Sequence, residues 1–544
     1  MRGMMMDVPL LTTSVLRHAA LNHGDTEIVS RTVEGPIHRY TYKDAWARTQ
    51  KLANALKKLG LEFGDRVGTL AWNGYRHLEL YYGIAGSGMV CHTINPRLFH
   101  DQIAFIINNG ADRVMFVDLT FVPILEAIVD KVPTLEAIVV MTDEAHMPKS
   151  AILPNLLCYE TLIAEEPDEF LFPEFDENTA AGMCYTSGTT GDPKGALYSH
   201  RSCVLHAMAT CWPDVFNISA SSTVMPVVPM FHVNAWGMPY SAPIVGAKLV
   251  LPGGLMDGAS LFELIEGEGV TVTAGVPTVW MNLLDWMAAH GRKFSRLERV
   301  MVGGAALPPV MIGRFAALGV DARQAWGMTE TSPVGLACAL KPKHAALSPD
   351  DRIALEAKQG RPLFGMEFRV VNDDLEEVPR DGKSYGSMLV RGPWVAAGYF
   401  GLDKSAAHKV PGWFDTGDVV TQDADGFIQI VDRNKDVVKS GGEWISSIEL
   451  ENIAQAHPAV KEAAVVGRAD PRWGERPVLV VVLKDGESFS RQEMVAYYTN
   501  KVAKWCIPDD VIVVHELPHT ATGKLQKMRI REIVHAVDHK LPVE

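Results

Sequence analysis

Two hydrophobic periodicities take turns along most of the chain. From about Tyr40, stretches with apolar residues three and four apart, such as YKDAWARTQKLANALKKLG, alternate with short β-rich runs such as DRVGTLAW, DRVMFVD and LEAIVVM. The first pattern predicts amphipathic helices and the second buried strands. Their alternation predicts stacked βα units around parallel sheet, continuing to roughly Val320. After Gly360 the rhythm changes to short strands with turn signals, in MEFRVVNDDLEEVP, YGSMLVRG and DGFIQIVD, which predicts an antiparallel or barrel-like subdomain. At DRNKD, Asp432 to Asp436, polar residues separate the apolar runs FIQIV and VVK. The chain beyond Asp436 contains a helix pattern in SSIELENIAQAH, β-rich runs in EAAVVG and RPVLVVVL, and a second helix pattern in SRQEMVAYYTNKVAKW. The expected fold class is therefore α/β. A large N-terminal domain, 1–431, combines βα sheets with a small β-rich subdomain, and a small α+β domain spans 432–544.

Composition narrows this little. With 544 residues, 47% of them hydrophobic and 21% charged, the chain is long enough for more than one core and has the balance of a globular protein. The net charge of −14 and the lack of a Lys/Arg block argue against a nucleic-acid surface. No window reaches the ~20 apolar residues that a membrane span needs, and the first residues do not read as a signal peptide. Seven scattered cysteines, never in a C-x-x-C pair, suit free thiols in a reducing compartment. The expected location is the cytoplasm.

Candidate chemistry starts at YTSGTTGDPKGALYSH, Tyr185 to His200. GMCY before it reads as a strand end and SHRSCVLHAMATC after it as a helix starting near Ser199, so TSGTTGDPKG is the connection. Glycines let backbone N–H groups converge, Thr and Ser add hydroxyls and Lys194 adds a charge, a combination that suits a polyphosphate. The spacing is neither G-x-x-x-x-G-K-[ST] nor G-x-G-x-x-G. Taken alone, the loop reads equally as a phosphate cradle or as a plain connector. HELPH, His515 to His519, spells a zinc motif, but Pro518 inside it opposes the helix that the motif needs. GKSYG, Gly382 to Gly386, spells a nucleophile elbow without the strand before it or the helix after it, and reads as a turn.

YTSGTTGDPKG resembles the signature of the adenylate-forming superfamily, which includes acyl-CoA synthetases. QAWGMTETSP, WFDTGDV, DRNKDVVKSGGEWIS and HTATGKLQK resemble that family's other motifs and stand in the same order. VVPMFHVNAWG with SGGEWIS is similar to medium- and long-chain fatty acyl-CoA ligases and to bacterial methylthiopropionate-CoA ligases. The resemblance implies an acid:CoA ligase. Such an enzyme converts a carboxylate, whose charge opposes attack and whose oxygen leaves poorly, into an acyl adenylate at the expense of ATP. The thiol of CoA then displaces AMP. It implies a medium-chain fatty acid as substrate, with 3-methylthiopropionate or another short or aryl acid as the alternative. A nucleotide- or acyl-binding regulator of the same fold is the reading outside enzymology.

The resemblance also distributes the roles. Thr186, Ser187, Gly188, Thr189, Thr190, Gly191 and Lys194 would cradle the β- and γ-phosphates. Glu330, a hard oxygen ligand, would hold Mg²⁺, and Thr329 would donate to the α-phosphate. Ala325, Trp326, Gly327 and Met328 would line the adenine site, with Trp326 in the place of the family's stacking aromatic. Gly303, Gly304 and Ala305 of GGAALP would bring backbone to the base, although that run also reads as a helix-initiating turn. Asp418 and Arg433 would bind the ribose hydroxyls; an Asp in T-G-D is otherwise a turn residue. Lys524 would hold the substrate carboxylate and α-phosphate together during adenylation. The small domain would then turn about a hinge at 432–436, with Asp432 and Lys435 as candidates. That turn would bring Lys439, Ser440, Gly441, Gly442, Glu443 and Trp444 to the CoA channel. Phe231, His232, Trp236, Val276 and Pro277, with Trp280 nearby, would form the acyl pocket, Trp236 as its gate; these aromatics also read as ordinary core. A homodimer is expected from the likeness of the N-terminal segment and βα region to dimeric fatty acyl relatives.

Overall fold

The computed structural model describes residues 1, 3–186, 192–403, 405–441, 443–519 and 525–538. It divides into two compact units, one made of 1–367 with 391–408 and the other of 368–390 with 409–544.

The first unit is built on two large sheets. One has its parallel part in the strands Glu27–Arg31, Lys248–Leu251, Thr223–Pro226, Val272–Gly275, Arg299–Val302 and Asp321–Gly327, adjacent in that order. Antiparallel strands close both edges, Ile37–Thr41 at one and Val334–Ala337 with Arg361–Pro362 at the other. The second sheet runs Leu156–Cys158, Ala137–Val140, Val114–Val117, Arg66–Leu70, Val90–Thr93, Ala180–Tyr185 in parallel and ends on antiparallel Gly195–Ser199. Helices fill the crossovers as the periodicity predicts. Tyr42–Lys58 starts at Thr41, whose side chain caps Asp44 N while the Asp44 carboxylate accepts from Thr41 N, a reciprocal capping box. Trp280 lies fully buried among Met225, Val227, Val250, Leu283 and Phe315. It is core, as the blander of its two sequence readings has it.

In the second unit, the short strands predicted after Gly360 form an antiparallel sheet in the order Glu367–Val371, Tyr385–Arg391, Phe414–Gln422, Ile428–Arg433. GKSYG is the turn entering one of these strands, with Gly382 at φ +73°. A second sheet is centred on the hairpin Val460–Asp470 and Gly474–Leu483. Its residues alternate between two apolar faces, Ala463, Val465, Leu479 and Val481 on one and Ala464, Val466, Val478 and Val480 on the other, the period of two that strands impose. The expected helix over SRQEMVAYYTNKVAKW is shorter than its pattern. It covers Arg491–Tyr498 and stops before Asn500, which adopts φ +67°. HELPH follows the strand Asp510–Val513 without helical structure, so its histidines do not share a helix face.

One segment of the first unit departs from ordinary backbone geometry. Val233, Asn234, Ala235 and Trp236 have φ of 48°, 50°, 47° and 56°, and Gly237 follows at 77°. Left-handed geometry costs an L-residue roughly 1–2 kcal/mol, and a β-branched valine there is unusual. Buried polar groups hold the segment. Asn73 Oδ1 accepts from Met230 N at 2.6 Å, and its amide donates to Pro226 O and Val228 O at 2.8 and 2.9 Å. The Tyr81 hydroxyl lies against Met230 O and Asn234 Oδ1. A Cβ on Gly237 would come within 2.7 Å of His206 Nδ1, whereas one on Gly319, at φ +76°, would meet nothing within 4 Å. Both Gly→Ala changes carry the left-handed penalty. Gly237→Ala is expected to lower stability by a further ~1–3 kcal/mol through overpacking. Urea unfolding of the two variants checks this, and equal midpoints would refute it.

Candidate functional site

The phosphate-loop candidate is the loop of a β-hairpin rather than a direct strand-to-helix connection. Ala180–Tyr185 pairs antiparallel with Gly195–Ser199, Tyr185 opposite Gly195, and only then does the helix His200–Thr210 begin. Its start is as expected, with Ser199 as the cap accepting from Ser202 N at 3.0 Å. The expectation of an immediate helix missed the five residues GALYS, whose antiparallel pairing with Ala180–Tyr185 makes them a strand. Ser187, Gly188, Thr189, Thr190 and Gly191 lie outside the described residues, as do Gly442 and Lys524. The two ends of the loop are described. Thr186 N donates to Lys194 O at 2.9 Å and Lys194 N to Thr186 Oγ1 at 3.1 Å, which closes its base.

That base faces Glu330. The Lys194 ammonium stands 5.3 Å from the centre of the Tyr399 ring, and the Tyr399 hydroxyl donates to Glu330 Oε1 at 2.5 Å. Burial and the neighbouring Glu330 carboxylate push the Tyr399 phenol well above its ordinary pKa, so at working pH it is a donor. Glu330 is 5% exposed and sits in the short turn Thr329–Thr331. Its carbonyl accepts from Ala396 N at 2.7 Å, and the Thr329 carbonyl accepts from the Tyr198 hydroxyl at 2.7 Å. Tyr198 comes from the strand just after Lys194, so one hairpin supplies both the cation and the strut under Thr329. Phe400 N donates to Gly195 O at 2.8 Å and completes the frame. Tyr399 is the residue that sequence reasoning missed: a single tyrosine in GPWVAAGYFG carries no spacing signal.

The adenine candidates meet the acyl candidates at Gly303. A Cβ there would fall 2.7 Å from Trp236 Cη2 and 2.9 Å from Ala325 O, and one on Gly304, at φ +78°, would lie 3.2 Å from Val276 Cγ1. Gly303 is therefore a close-approach glycine, with the indole on one side and the Ala325–Trp326 strand on the other. Gln324 ties the run together, its amide nitrogen donating to Ala305 O at 3.2 Å and Ala325 O at 3.0 Å; this residue too was not predicted. Gly327 is obligatory, since a Cβ would sit 2.0 Å from Pro333 O. Met328 N donates to Thr331 Oγ1 at 3.0 Å. Trp326 is 7% exposed and Trp236 8%. Phe231 packs edge-on to Trp72 at 5.8 Å, His232 is half-buried at the start of the left-handed turn, and Val276 precedes the helix that Pro277 opens.

The second unit carries the remaining described candidates. Asp418 and Arg433 lie opposite each other in register on neighbouring strands, joined by Arg433 Nε to Asp418 Oδ1 at 2.7 Å. Asp418 is 1% exposed and Arg433 also donates to Thr416 O at 3.0 Å. Asp432 accepts from Ser447 N at 2.6 Å and Arg433 N at 2.7 Å, and burial raises its pKa. Lys435, whose pKa burial lowers, has its carbonyl bound by Arg531 Nη2 at 2.7 Å. Glu443 opens the strand Glu443–Ile445, where Trp444 stacks on Tyr385 at 5.2 Å with the Lys439 ammonium 4.9 Å from its ring. Ser440 Oγ accepts from Arg476 at 3.1 Å, and Gly441, at φ +63°, donates to Trp473 O at 2.7 Å.

Residues 16–400 match the model of the AMP-binding enzyme family and residues 449–524 that of the AMP-binding enzyme C-terminal domain. The chain is 50% identical to a medium-chain-fatty-acid–CoA ligase of Ectopseudomonas oleovorans, over 98% of this chain and 97% of that one. It is also 50% identical to a 3-methylmercaptopropionyl-CoA ligase of Ruegeria lacuscaerulensis, over 98% of each chain. Among solved structures, an anthranilate CoA ligase in complex with anthranoyl-AMP matches with a TM-score of 0.85 at 26% identity, covering 98% of this chain and 99% of that one. The five motifs, the two-sheet N-terminal fold and these likenesses agree, and the chain belongs to the AMP-binding enzyme family.

Proposed function

We propose that this chain activates a medium-chain fatty acid. That it is an acid:CoA ligase, ATP-dependent and AMP-forming and working through an acyl adenylate, rests on its family and on full-length likeness to ligases of that type. ATP and CoA are its substrates. The observation that carries the chemical reading is the alignment of Lys194, Tyr399 and Glu330, which sets a cation and a braced carboxylate at the base of the phosphate loop.

Mg²⁺ fits this donor set. Among the described residues no group of three or more His, Cys, Asp and Glu could hold a metal ion, so Glu330 would serve as a single carboxylate completed by phosphate oxygens and water, the usual manner of Mg²⁺. When bound, the ion offsets negative charge on the phosphates. Lys194 and the loop hydroxyls then orient the β- and γ-phosphates, and Tyr399 holds the Glu330 carboxylate in one rotamer. Lys524 is the proposed cation that brings acid and α-phosphate together in the first half-reaction. Asp418 and Arg433 are proposed to take the ribose hydroxyls, while 439–444 approach the thiol in the second half-reaction. The pivot near Asp432 and Lys435, within domains 1–431 and 432–544, belongs to the same proposal. The seven cysteines are free thiols, which supports a reducing, cytoplasmic setting; a homodimer is proposed on the family likeness. No helix among the described residues is long and apolar enough to cross a membrane.

Glu330→Gln keeps size and removes charge. It is expected to raise the Mg²⁺ concentration for half-maximal activity roughly tenfold, since interactions with charged groups contribute ~1.5–3 kcal/mol. A magnesium titration at saturating ATP checks this, and an unchanged midpoint refutes the role.

The acid is tested by kcat/KM for straight-chain acids of about three to sixteen carbons, each methylene contributing ~0.8 kcal/mol in an apolar tunnel. A smooth optimum at medium length supports the proposal, with Trp236→Ala flattening the preference. A maximum at the shortest acids with abrupt loss thereafter favours 3-methylthiopropionate, the second reading that the equal likeness of the Ruegeria ligase supports.

A further inference from the structure

The turn that carries Trp236 and the turn that carries Glu330 are far apart in sequence, yet one buried side chain touches the ends of both. His206, on the helix His200–Thr210, is 1% exposed. Its Nε2 accepts from Val334 N at 3.0 Å. Its Nδ1 edge occupies the space that a Gly237 Cβ would need, 2.7 Å away, at the end of the left-handed turn. Val334 follows Glu330 by four residues, and its carbonyl accepts from Trp394 Nε1 at 3.2 Å. Trp394 stands edge-on to the His206 ring at 6.0 Å, and its own carbonyl accepts from Ser332 Oγ at 2.9 Å. Two residues further on, Ala396 N donates to Glu330 O. The contacts therefore run without a break from Trp236 and Gly237 through the imidazole to Val334, Trp394 and the Glu330 turn.

Three features suit the ring to transmission rather than to packing alone. Burial lowers the His206 pKa to about 3, so the ring is neutral and keeps one nitrogen as an acceptor. The acceptor is aimed at a backbone N–H, so the position of the ring is tied directly to that of Val334. The segment on its other side is the strained left-handed turn, which stays in place only because its surroundings fix it. Ser241 adds a second tie, its hydroxyl donating to Gly237 O at 3.0 Å and standing 2.8 Å from Thr210 Oγ1 at the end of the same helix.

We propose that His206 is a positioning residue that couples acyl-chain binding at Trp236 to nucleotide binding at Glu330. The inference rests on the reading of Trp236 as the acyl gate and of Glu330 as part of the ATP site. Coupling between two ligands is reciprocal and commonly lies in the range of roughly 5- to 150-fold, so occupation of either site should tighten the other.

The test uses the full chain and α,β-methylene-ATP, which cannot be cleaved between its α- and β-phosphates, with Mg²⁺ present. Its Kd is measured by calorimetry with and without saturating decanoate. For the wild-type chain, decanoate is expected to lower the Kd by at least about fivefold. His206→Leu should reduce that factor below twofold while the Kd without decanoate stays within about twofold of wild type, a split that general structural damage would not produce. His206→Gln, whose amide oxygen can accept from Val334 N, should restore most of the coupling. A coupling factor that persists in His206→Leu overturns the proposal, and so does a glutamine variant that behaves as leucine does. If His206→Leu does not fold, Trp394→Phe decides: it keeps an aromatic ring and removes the donor to Val334 O, so an undiminished factor overturns the proposal. A wild-type chain that shows no coupling, although decanoate is turned over, rejects the gate reading itself.

Discussion

A carboxylate held at 5% exposure is the constraint around which the first unit is organised. Taking an ionised group out of water is costly unless hydrogen bonds or charges replace the lost hydration. Glu330 receives a short hydrogen bond from Tyr399, and the Lys194 ammonium lies 5.3 Å from the centre of the same ring. These groups come from the segment around 395–400 and from the hairpin at 180–199, so the position of Glu330 depends on both being in place. The hairpin contributes again through the Tyr198 hydroxyl under Thr329. A site prepared in this way sets the Lys194 cation and a braced carboxylate side by side, the electrostatic setting that ATP with its counter-ion suits.

The second constraint is backbone strain. Four consecutive non-glycine residues in left-handed geometry are sustained by Asn73, Tyr81 and Gly237, and the outcome is an indole pressed against Gly303. A right-handed turn would aim Trp236 elsewhere. The strain is thus located where a side chain must meet a glycine of the neighbouring loop, in keeping with the tendency of unusual dihedrals to gather at functional sites.

Much of this was legible in the sequence because motifs record chemistry directly. The order of the five motifs identified the family, the two periodicities predicted the sheet class and a helix over YKDAWARTQKLANALKKLG, and the run SHRSCVLHAMATC predicted a helix starting near Ser199. What the sequence hid has physical causes. GALYS has no length or punctuation to separate it from the glycine loop, so a strand reads as part of a connector. Tyr399 and Gln324 act through hydrogen bonds to residues far away in the chain, Glu330 and Ala305, and no local pattern encodes such bonds. The helix over 490–505 looks longer because its apolar spacing continues past Tyr498, whereas a left-handed Asn500 turns the chain. Trp280 shows the same letters as a pocket residue and is core.

Gly303 joins these constraints. Its missing side chain is the space into which Trp236 reaches, and its other neighbour is the carbonyl of Ala325, one residue before the adenine candidate Trp326. The acyl and nucleotide candidates therefore share a wall one glycine thick. Interiors at native packing density have no slack to absorb a displaced indole, so a shift of Trp236 must be answered by the loop 303–305, by the Ala325 strand or by the turn that begins at Val233. The proposed acyl gate and the proposed adenine wall then draw on the same few contacts. How firmly the left-handed turn is held therefore bears on the acyl candidate Trp236 and on the adenine candidates beside Gly303 together.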